Sequence, residues 1–340
     1  MHSSTFNFEP PLPERSTTRA LLLGLLLALT CLAGWEALLR HRGYRPSVKD
    51  TLDLWAVERR AADDRPRALA LVGTSRFHYA LVPDALDREL PGHQVADLAL
   101  EGTWAVSPLR DLALDDEFVG IVVCEVLPPT FFTPPSSGVA ERGNASWIEQ
   151  WRRLPWVTRI ETPLRVFTQQ RLAFTLPETN TVVLLLEARR GRILRPAPTA
   201  AIMDEKRYPR RLSEVRDAAV AERTWADVFA ALPVPTEGER DARIAEVVGY
   251  ARAIEGRGGS VVFVRINSCG PVLEVEEQRF PRAAYWDRLV GEKGMHGIDF
   301  RDDPEMAAFP CADGSHLRGS DAEAFSVVLA RILRKRGWIE

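Results

Sequence analysis

Apolar residues occur along this chain in short runs that are separated by stretches of helical periodicity. Each run has the length and the β-branched content of a buried strand. Strands that alternate with helices favour a mostly parallel sheet covered by helices on both faces. The pattern therefore predicts an α/β domain with a five-stranded, mostly parallel sheet. The predicted strands are Ala68 to Val72, Val95 to Leu100, Val119 to Val126, Val261 to Ile266 and Ile298 to Phe300.

Two segments of the chain have the apolar periodicity of amphipathic helices. One covers Ile244 to Ile254 and stops before Gly256, and the other is the last helix of the chain. Ser320 and Glu323 have the spacing of a capping box at the start of that last helix. Gly337 follows three basic residues at its end, as the helix dipole and a C-cap prefer.

The clearest element outside the α/β pattern is the apolar run from Ala20 to Leu39. A helix of about 20 residues rises about 30 Å, which is the thickness of a hydrocarbon core. Trp35 is expected at an interface, and Glu36 can reach the head-group layer. A cleaved signal peptide is the alternative, but the run is longer than a usual signal core and no clean cleavage site follows it. Cys31 fits a lipoprotein cleavage box poorly, so we predict an uncleaved single-span anchor.

The charges that flank this run leave its orientation open. Arg15 and Arg19 precede it, while Arg40, Arg42, Arg45 and Lys49 follow it. A positive-inside count keeps the large domain in the cytoplasm, but the count loses force when a long domain follows the span.

A long stretch between the third and fourth predicted strands exceeds what a minimal α/β domain needs. Pro128, Pro129 and residues 134–138 make its beginning a loop, and an apolar run covers 182–186. The stretch leaves the sheet at the edge expected to hold the site, so it can form a lid or a substrate-binding wall. Packing of its aromatic residues into an extra helical layer is nevertheless the favoured expectation. Those residues are Trp147, Trp151, Trp156, Phe167 and Phe174.

The predicted organisation therefore has four parts. Residues 1–19 form a cytoplasmic or disordered tail, residues 20–39 the transmembrane anchor, and residues 40–64 a juxtamembrane linker. Residues 65–340 form the α/β domain, with a helical insert at about 128–240.

Composition and charge fit a globular domain with an attached anchor. The chain has 340 residues, of which 46% are hydrophobic, and its net charge is -3. That charge argues against a nucleic-acid partner. Basic residues cluster in two short runs, 189–195 and 206–211. We expect these runs on a solvated surface, with lipid head groups or an acidic glycan as the alternative contact.

The four cysteines do not form an obvious disulfide framework. Cys31 lies in the predicted span, which leaves Cys124, Cys269 and Cys311, an odd number. Cys269 and Cys311 could lie near one edge of the sheet and form a bridge, but three buried thiols are the favoured expectation.

Cofactor and metal chemistry find little support in the sequence. There is no Cys-x-x-Cys, no His-Glu-x-x-His and no clustering of the six histidines that would hold zinc. Gly73-Thr-Ser75 lacks the second glycine and the lysine of a phosphate-binding loop. We therefore predict no cofactor and no metal.

Candidate chemistry lies at the two ends of the α/β pattern. Ser75 follows the first predicted strand and Gly73, so a turn presents its hydroxyl. Near the other end, Asp313 precedes His316 by three residues. These residues are the components of a Ser-His-Asp site, in which His takes the serine proton and Asp orients the His. Each motif alone is common as a helix cap or a turn, whereas their joint occurrence favours a site.

This arrangement resembles the SGNH (GDSL-like) hydrolase superfamily. Ser75 falls on the block I serine of that family, and Asp313 and His316 fall on its block V pair. Gly102 follows the second predicted strand and corresponds to the block II glycine, so the resemblance assigns the oxyanion hole to Ser75 and Gly102. The block III Asn has no counterpart after the third strand, where the chain reads Leu127-Pro-Pro-Thr-Phe-Phe132. Loss of one oxyanion donor costs on the order of 100-fold in rate.

The resemblance implies a flavodoxin-like three-layer sandwich and a serine esterase or O-acyltransferase. Membrane-anchored members of the superfamily act on acylated envelope polysaccharides outside the inner membrane. The resemblance therefore implies an extracytoplasmic, periplasmic domain and admits a membrane acyltransferase as a partner. The alternative is a degenerate SGNH-like domain that binds a glycan or scaffolds an envelope assembly without turnover.

Overall fold

The computed structural model describes residues 14–65, 67–133, 142–191, 194, 201–211 and 217–339. Contacts divide the chain into two compact units. An anchor unit comprises Met1–Pro46 and Arg171–Pro198, and an α/β unit comprises Ser47–Gln170 and Thr199–Glu340.

Helices of the α/β unit flank its strands along most of the chain, and α1 and α9 belong to the anchor unit. The helices described are α1 (Glu14–His41), α2 (Leu52–Asp64), α3 (Ser75–Ala80), α4 (Pro83–Glu89), α5 (Val106–Ala113), α6 (Pro128–Phe131), α7 (Arg142–Arg152), α8 (Trp156–Gln169), α9 (Thr181–Arg189), α10 (Ala218–Ala231), α11 (Glu237–Glu255), α12 (Gly270–Arg279), α13 (Trp286–Val290), α14 (Pro304–Ala307) and α15 (Ala322–Lys335).

The strands of the α/β unit form one parallel sheet and a small antiparallel pair. They are β1 (Ala68–Val72), β2 (Gln94–Asp97), β3 (Ile121–Glu125), β4 (Ala201–Met203), β5 (Pro209–Arg211), β6 (Ser260–Arg265) and β7 (His296–Asp299). In the described part of the chain, the main sheet has the order β2-β1-β3-β6-β7, and all its pairs are parallel. The prediction of an α/β fold with a five-stranded parallel sheet is confirmed.

Alternate residues of the strands enter two separate hydrophobic clusters. In β1, Ala68, Ala70 and Val72 belong to a cluster with residues of α2, α5 and α11. Leu69 and Leu71 belong to a second cluster with residues of α3, α4 and α15. Because side chains alternate across a strand, both faces of the sheet are buried.

The predicted strands lie where expected, with small shifts of their ends. The residues that follow β2, from Leu98 to Leu100, are buried but lie outside the strand. The capping box predicted at the last helix is wrong: α15 begins at Ala322, and Asp321 is its N-cap without a side-chain cap bond. Gly337 does adopt the left-handed conformation expected at the end of that helix, with φ of 69°.

Segments that were expected to be accessory contribute to the core of the α/β unit. The predicted linker at 40–64 contains α2, whose Trp55 is fully buried. The basic run at 206–211, expected on a solvated surface, contains Arg207, which is fully buried and ion-paired with Asp50 at 2.8 Å.

The anchor unit contains α1, the one described helix that is long and apolar enough to cross a membrane. Its qualifying stretch, Thr17–His41, has 25 residues, and the most apolar 18-residue window in it is not buried. A signal sequence near an N-terminus has the same properties. At the C-terminal end of α1, the Glu36 carboxylate accepts hydrogen bonds from the backbone N–H groups of Ala173 and Phe174, at 2.9 and 3.0 Å. Glu36, expected at the head groups, therefore has partners within its own unit.

Candidate active site

Ser75 is presented by a tight turn between β1 and α3. Thr74 is the N-cap of α3, and its hydroxyl accepts a hydrogen bond from the backbone N–H of Arg76. A Cβ at Gly73 would lie 2.6 Å from Cβ of Phe77, so a larger residue does not fit without displacing the helix. Ser75 is therefore the first residue of α3, and its side chain remains partly exposed.

Asp313 and His316 lie in a compact loop between α14 and α15. An isolated bridge between Cys311 and Leu317 closes the loop, and Ala312 N donates to His316 O at 2.7 Å. Gly314 at the tip has φ of 80°, and a Cβ there would lie 2.8 Å from Val272. The loop geometry therefore requires glycine for both conformation and space.

The structure brings the three predicted residues together. Ser75 Oγ lies 2.9 Å from His316 Nε2, and His316 Nδ1 lies 2.9 Å from Asp313 Oδ2. The tautomer with the proton on Nδ1 satisfies both contacts, because Nδ1–H then donates to Asp313 and Nε2 accepts from the Ser75 hydroxyl. This is the geometry of a serine nucleophile, a base and an orienting carboxylate.

Asp313 has an environment that favours its ionised form. Burial by itself raises the pKa of this carboxyl, but hydrogen bonds and the charge of His316 outweigh that effect and lower the pKa to about 2. Asp313 Oδ1 also accepts from the backbone N–H groups of Ser315 and His316, at 3.0 and 2.7 Å. Asp313 is therefore a fixed, charged acceptor for His316 Nδ1–H.

A disulfide fastens the Asp313 loop to the start of α12. The Cα atoms of Cys269 and Cys311 are 6.0 Å apart and their sulfurs are bonded, so the expectation of three buried thiols is wrong. Cys269 N also donates to Gly314 O at 2.9 Å. Of the two free cysteines described, Cys31 is exposed and Cys124 is buried.

Arg76, the residue after Ser75, holds the turn between β1 and α3 against the segment that follows β6. Its guanidinium donates to Ser268 Oγ at 2.8 Å and to the carbonyl oxygens of Ile266 and Asn267. It also pairs with the buried Glu276 at 3.2 Å. The sequence does not single out Arg76. An arginine next to a serine looks the same in a sequence whether its side chain is buried and hydrogen-bonded or exposed to solvent.

Glu125, the last residue of β3, contacts the turn between β1 and α3 through Thr74 and Arg76. Its Oε2 accepts the backbone N–H of Thr74 at 2.6 Å, and its carboxylate lies 3.8 Å from Arg76. Burial raises the pKa of this carboxyl. Where the block III Asn was sought, β3 thus supplies an acceptor for the turn, and residues 126–133 contain neither Asn nor Gln.

The segment that carries Gly102 runs beside the turn between β1 and α3. Leu100 N donates to Gly73 O at 3.1 Å, which extends the pairing of β1 and β2 beyond the strand ends. Gly102 follows two residues later with φ of 65°, and no atom lies within 4 Å of the position a Cβ would take. The buried Asn144 donates to Trp104 O in the same loop at 2.6 Å. Its Oδ1 has no hydrogen-bond partner among the described residues.

Aromatic side chains surround the His316 ring. Trp225, from α10 in the predicted insert, lies edge-on with ring centroids 5.4 Å apart. Tyr79, from α3, is also edge-on to the His316 ring, with ring centroids 6.0 Å apart. Part of the insert therefore contacts the His316 ring, whereas Trp147 and Trp151 of the same stretch pack against the hydrophobic core of the α/β unit. Val182 to Leu186 lies in α9 of the anchor unit instead.

No cluster of three or more potential metal ligands occurs among the described residues. Comparison with models of protein families finds no match for this chain, and comparison with curated proteins finds none either.

Proposed function

We propose that this protein is a membrane-anchored, SGNH-type serine esterase or O-acyltransferase with a flavodoxin-like three-layer domain. Its substrates are acylated envelope glycans or related esters, and the partner that the resemblance admits is a membrane acyltransferase. The observation that carries the proposal is the contact of 2.9 Å between Ser75 Oγ and His316 Nε2, together with the bond from His316 to the ionised Asp313.

The chemistry follows from that chain of contacts. Ser75 Oγ attacks the carbonyl carbon of the ester while its proton moves to His316 Nε2. Asp313 stabilises the imidazolium that forms. When the tetrahedral intermediate collapses, His316 gives the proton to the leaving alcohol, and the acyl group stays on Ser75. Water or a sugar hydroxyl then attacks the acyl group, with His316 again taking the proton.

The negative oxygen of the intermediate needs donors beside Ser75. The backbone N–H of Ser75 suits this role, because the first N–H groups of a helix have no partner within the helix. The backbone N–H of Gly102 is the second proposed donor, since its loop is bonded to the Gly73 turn and glycine leaves space for an acyl group.

The disulfide supports an extracytoplasmic site. Bonded cysteines persist in oxidising compartments and are rare in the cytosol. The disulfide between Cys269 and Cys311 fastens the loop of Asp313 and His316. An oxidising compartment would preserve this bond and with it the position of the two side chains. With α1 as an uncleaved span, the α/β domain then faces the periplasm, against the count of flanking positive charges.

A scaffold without turnover is the second candidate, and one observation favours it. β3 ends in Glu125, whose carboxylate accepts a hydrogen bond from the backbone N–H of Thr74. An Asn side chain, which could donate to an oxyanion, does not occupy this place. A weakened oxyanion site is compatible with a domain that binds a glycan beside Ser75 without turnover.

Labelling with a fluorophosphonate serine probe separates the two candidates. The full-length protein should be labelled in detergent, and Ser75→Ala and His316→Ala should abolish or strongly reduce labelling. Ser107→Ala is the matched control, because Ser107 is partly exposed like Ser75 but lies in α5. Labelling that persists in Ser75→Ala contradicts the enzyme as assigned, and an unlabelled wild type favours the scaffold.

Two experiments test the anchor. Replacing Leu26 and Leu29 by Arg should release or degrade the protein, because a charge at the centre of a span costs about 2.5 to 3.5 kcal/mol per residue. Alkaline phosphatase and fluorescent-protein fusions after Glu340 report the side of the membrane. A fluorescent and phosphatase-inactive pair overturns the periplasmic assignment.

A further inference from the structure

The helix α8 in the α/β unit has its polarity reversed relative to a normal surface helix. Its buried residues are the polar Thr158, Thr162 and Gln169. Apart from the half-buried Val166, the large apolar residues on the helix are exposed, with exposed fractions between 45% and 72%. Those residues are Trp156, Val157, Ile160, Leu164 and Phe167.

The exposed residues form a continuous stripe. Trp156, Ile160, Leu164 and Phe167 follow one another at intervals of four, four and three residues, which places them on one face of the helix. Apolar patches of this kind on soluble proteins mark sites of interaction with another protein or with a membrane.

Polar contacts hold the opposite face against the α/β unit. Gln169 accepts the backbone N–H of Lys49 at 3.1 Å, and Arg165 lies 3.7 Å from Asp53. The orientation of α8 is therefore fixed by hydrogen bonds and an ion pair, with the apolar stripe directed away from the unit that carries it.

We infer that the stripe of α8 binds the surface of the lipid bilayer in which α1 is anchored. The inference rests on the proposed anchor. α8 ends at Gln169, and four residues later Ala173 donates to Glu36 of α1. The chain therefore passes from the end of α8 into the unit that contains α1 within two residues.

Composition also favours lipid over a protein partner. An interfacial helix carries aromatic and aliphatic residues on its buried face and basic residues beside it. Trp156 and Phe167 stand near the two ends of the stripe, and Arg152, Arg153 and Arg159 lie close to Trp156 in the sequence. Arg152 and Arg153 pair with Asp111 and Glu149, at 3.1 and 2.8 Å, so Arg159 supplies the charge that complements anionic head groups.

The anchor unit, taken by itself, shows the same feature. The five consecutive apolar residues of α9, Val182 to Leu186, include none that is buried. A helix in the same compact unit as α1 that buries none of these residues is suited to contact with lipid.

Site-directed spin labelling of the full-length protein in liposomes tests the inference. In a Cys31→Ala background, the remaining free cysteine, Cys124, is fully buried and will not react. Ile160→Cys and Leu164→Cys place labels on the stripe. Leu114→Cys is the matched control, because Leu114 is 60% exposed and Leu164 is 62% exposed.

In vesicles of phosphatidylethanolamine and phosphatidylglycerol, labels on the stripe should collide more often with oxygen than with a water-soluble nickel chelate. The label at position 114 should show the reverse order. A stripe label as accessible to nickel as the control overturns the inference, and so does a label shielded from both reagents, which indicates a second copy or another protein surface.

Vesicle flotation separates failure of the anchor from failure of this inference. Protein that does not float overturns the anchor and the inference together. Protein that floats with a water-exposed stripe overturns the inference alone. A second set of variants tests the stripe independently. Ile160→Ser with Leu164→Ser should reduce the nickel-shielded fraction of a spin label at Trp156→Cys. Leu114→Ser with Val119→Ser should leave that fraction unchanged.

Discussion

Ser75 Oγ and His316 Nε2 lie 2.9 Å apart, although 241 positions separate the two residues in the sequence. The first is fixed by the turn after β1, and the second by a loop that is closed on itself and bonded through Cys311 to Cys269. Parallel strands collect such loops at their carboxyl ends. The contact therefore depends on two rigid local structures and not on a flexible side chain.

Asp313→Asn should lower the rate of ester hydrolysis by about 10²-fold to 10⁴-fold while the protein remains folded. The amide removes the negative charge that stabilises the imidazolium and permits the wrong His316 tautomer, but it leaves the base in place. Hydrolysis of an acetylated model substrate measures the effect. Ser75→Ala should be at least as severe, because it removes the nucleophile itself.

Asp321→Asn is the control for this series, since Asp321 lies five residues after His316 and makes no cap bond to α15. It should retain the wild-type rate. An Asp313→Asn variant with wild-type turnover contradicts the role assigned to this carboxylate.

The sequence predicts the sheet and the candidate site because both have local signals. β1 is a run of five buried residues ending at a glycine, and Asp313 and His316 are close enough along the chain to be read as a pair. The buried partners of the turn were not predictable in this way. Glu125 and Arg76 meet through tertiary folding, and their charges resemble those of ordinary surface residues.

The insert was predicted only as a continuous addition to the α/β domain. Its residues 171–198 instead belong to the compact unit that contains α1. Trp225 of α10, by contrast, contacts the His316 ring. The apolar periodicity of these segments indicates helices but contains no information on which core each helix joins. The failure at Ser320 has a similar cause, because the spacing of a capping box does not fix where the helix begins.

Stability should fall as the pH is lowered from about 4 to about 2. The pKa of Asp313 in the folded protein is about 2, below its ordinary value of 3.8. A depressed carboxyl pKa contributes stability above the unfolded value, and that contribution is lost as the pH falls through the folded value. The difference corresponds to about 2 kcal/mol.

Urea unfolding of the full-length protein in detergent at several pH values measures this loss. Asp313→Asn should reduce the acid-induced loss of stability, while Asp321→Asn should not. Equal slopes in wild type and Asp313→Asn between pH 4 and pH 2 would show that Asp313 is not the titrating group.

Removing the disulfide should destabilise the α/β unit and reduce turnover. Cys269 and Cys311 are separated by 42 positions, and closing a loop of about that length stabilises a protein by up to about 4 kcal/mol. Cys269→Ser with Cys311→Ser should therefore lower the melting temperature, and a mobile Asp313 loop should lower the rate. Cys31→Ser is the control, since Cys31 is free. Treatment with a reductant that changes neither property in the wild type contradicts the proposed tether.

Gly102→Val should lower the rate of ester hydrolysis on the order of 100-fold or more if the Gly102 N–H is an oxyanion donor. A Cβ at this position meets no atom within 4 Å, but φ of 65° is a conformation that valine rarely adopts. The backbone strain costs about 1 to 2 kcal/mol, so a general loss of stability must be separated from a loss of the donor. Gly294→Val provides that separation.

Gly294 has φ of 89° and equally open space, but it precedes β7 and so lies at the end of the sheet opposite the proposed site. The two variants should lose similar amounts of stability in thermal unfolding, and only Gly102→Val should lose turnover. Equal rates in the two variants would remove Gly102 from the oxyanion hole and leave the second donor to be sought elsewhere in the loop that Asn144 holds.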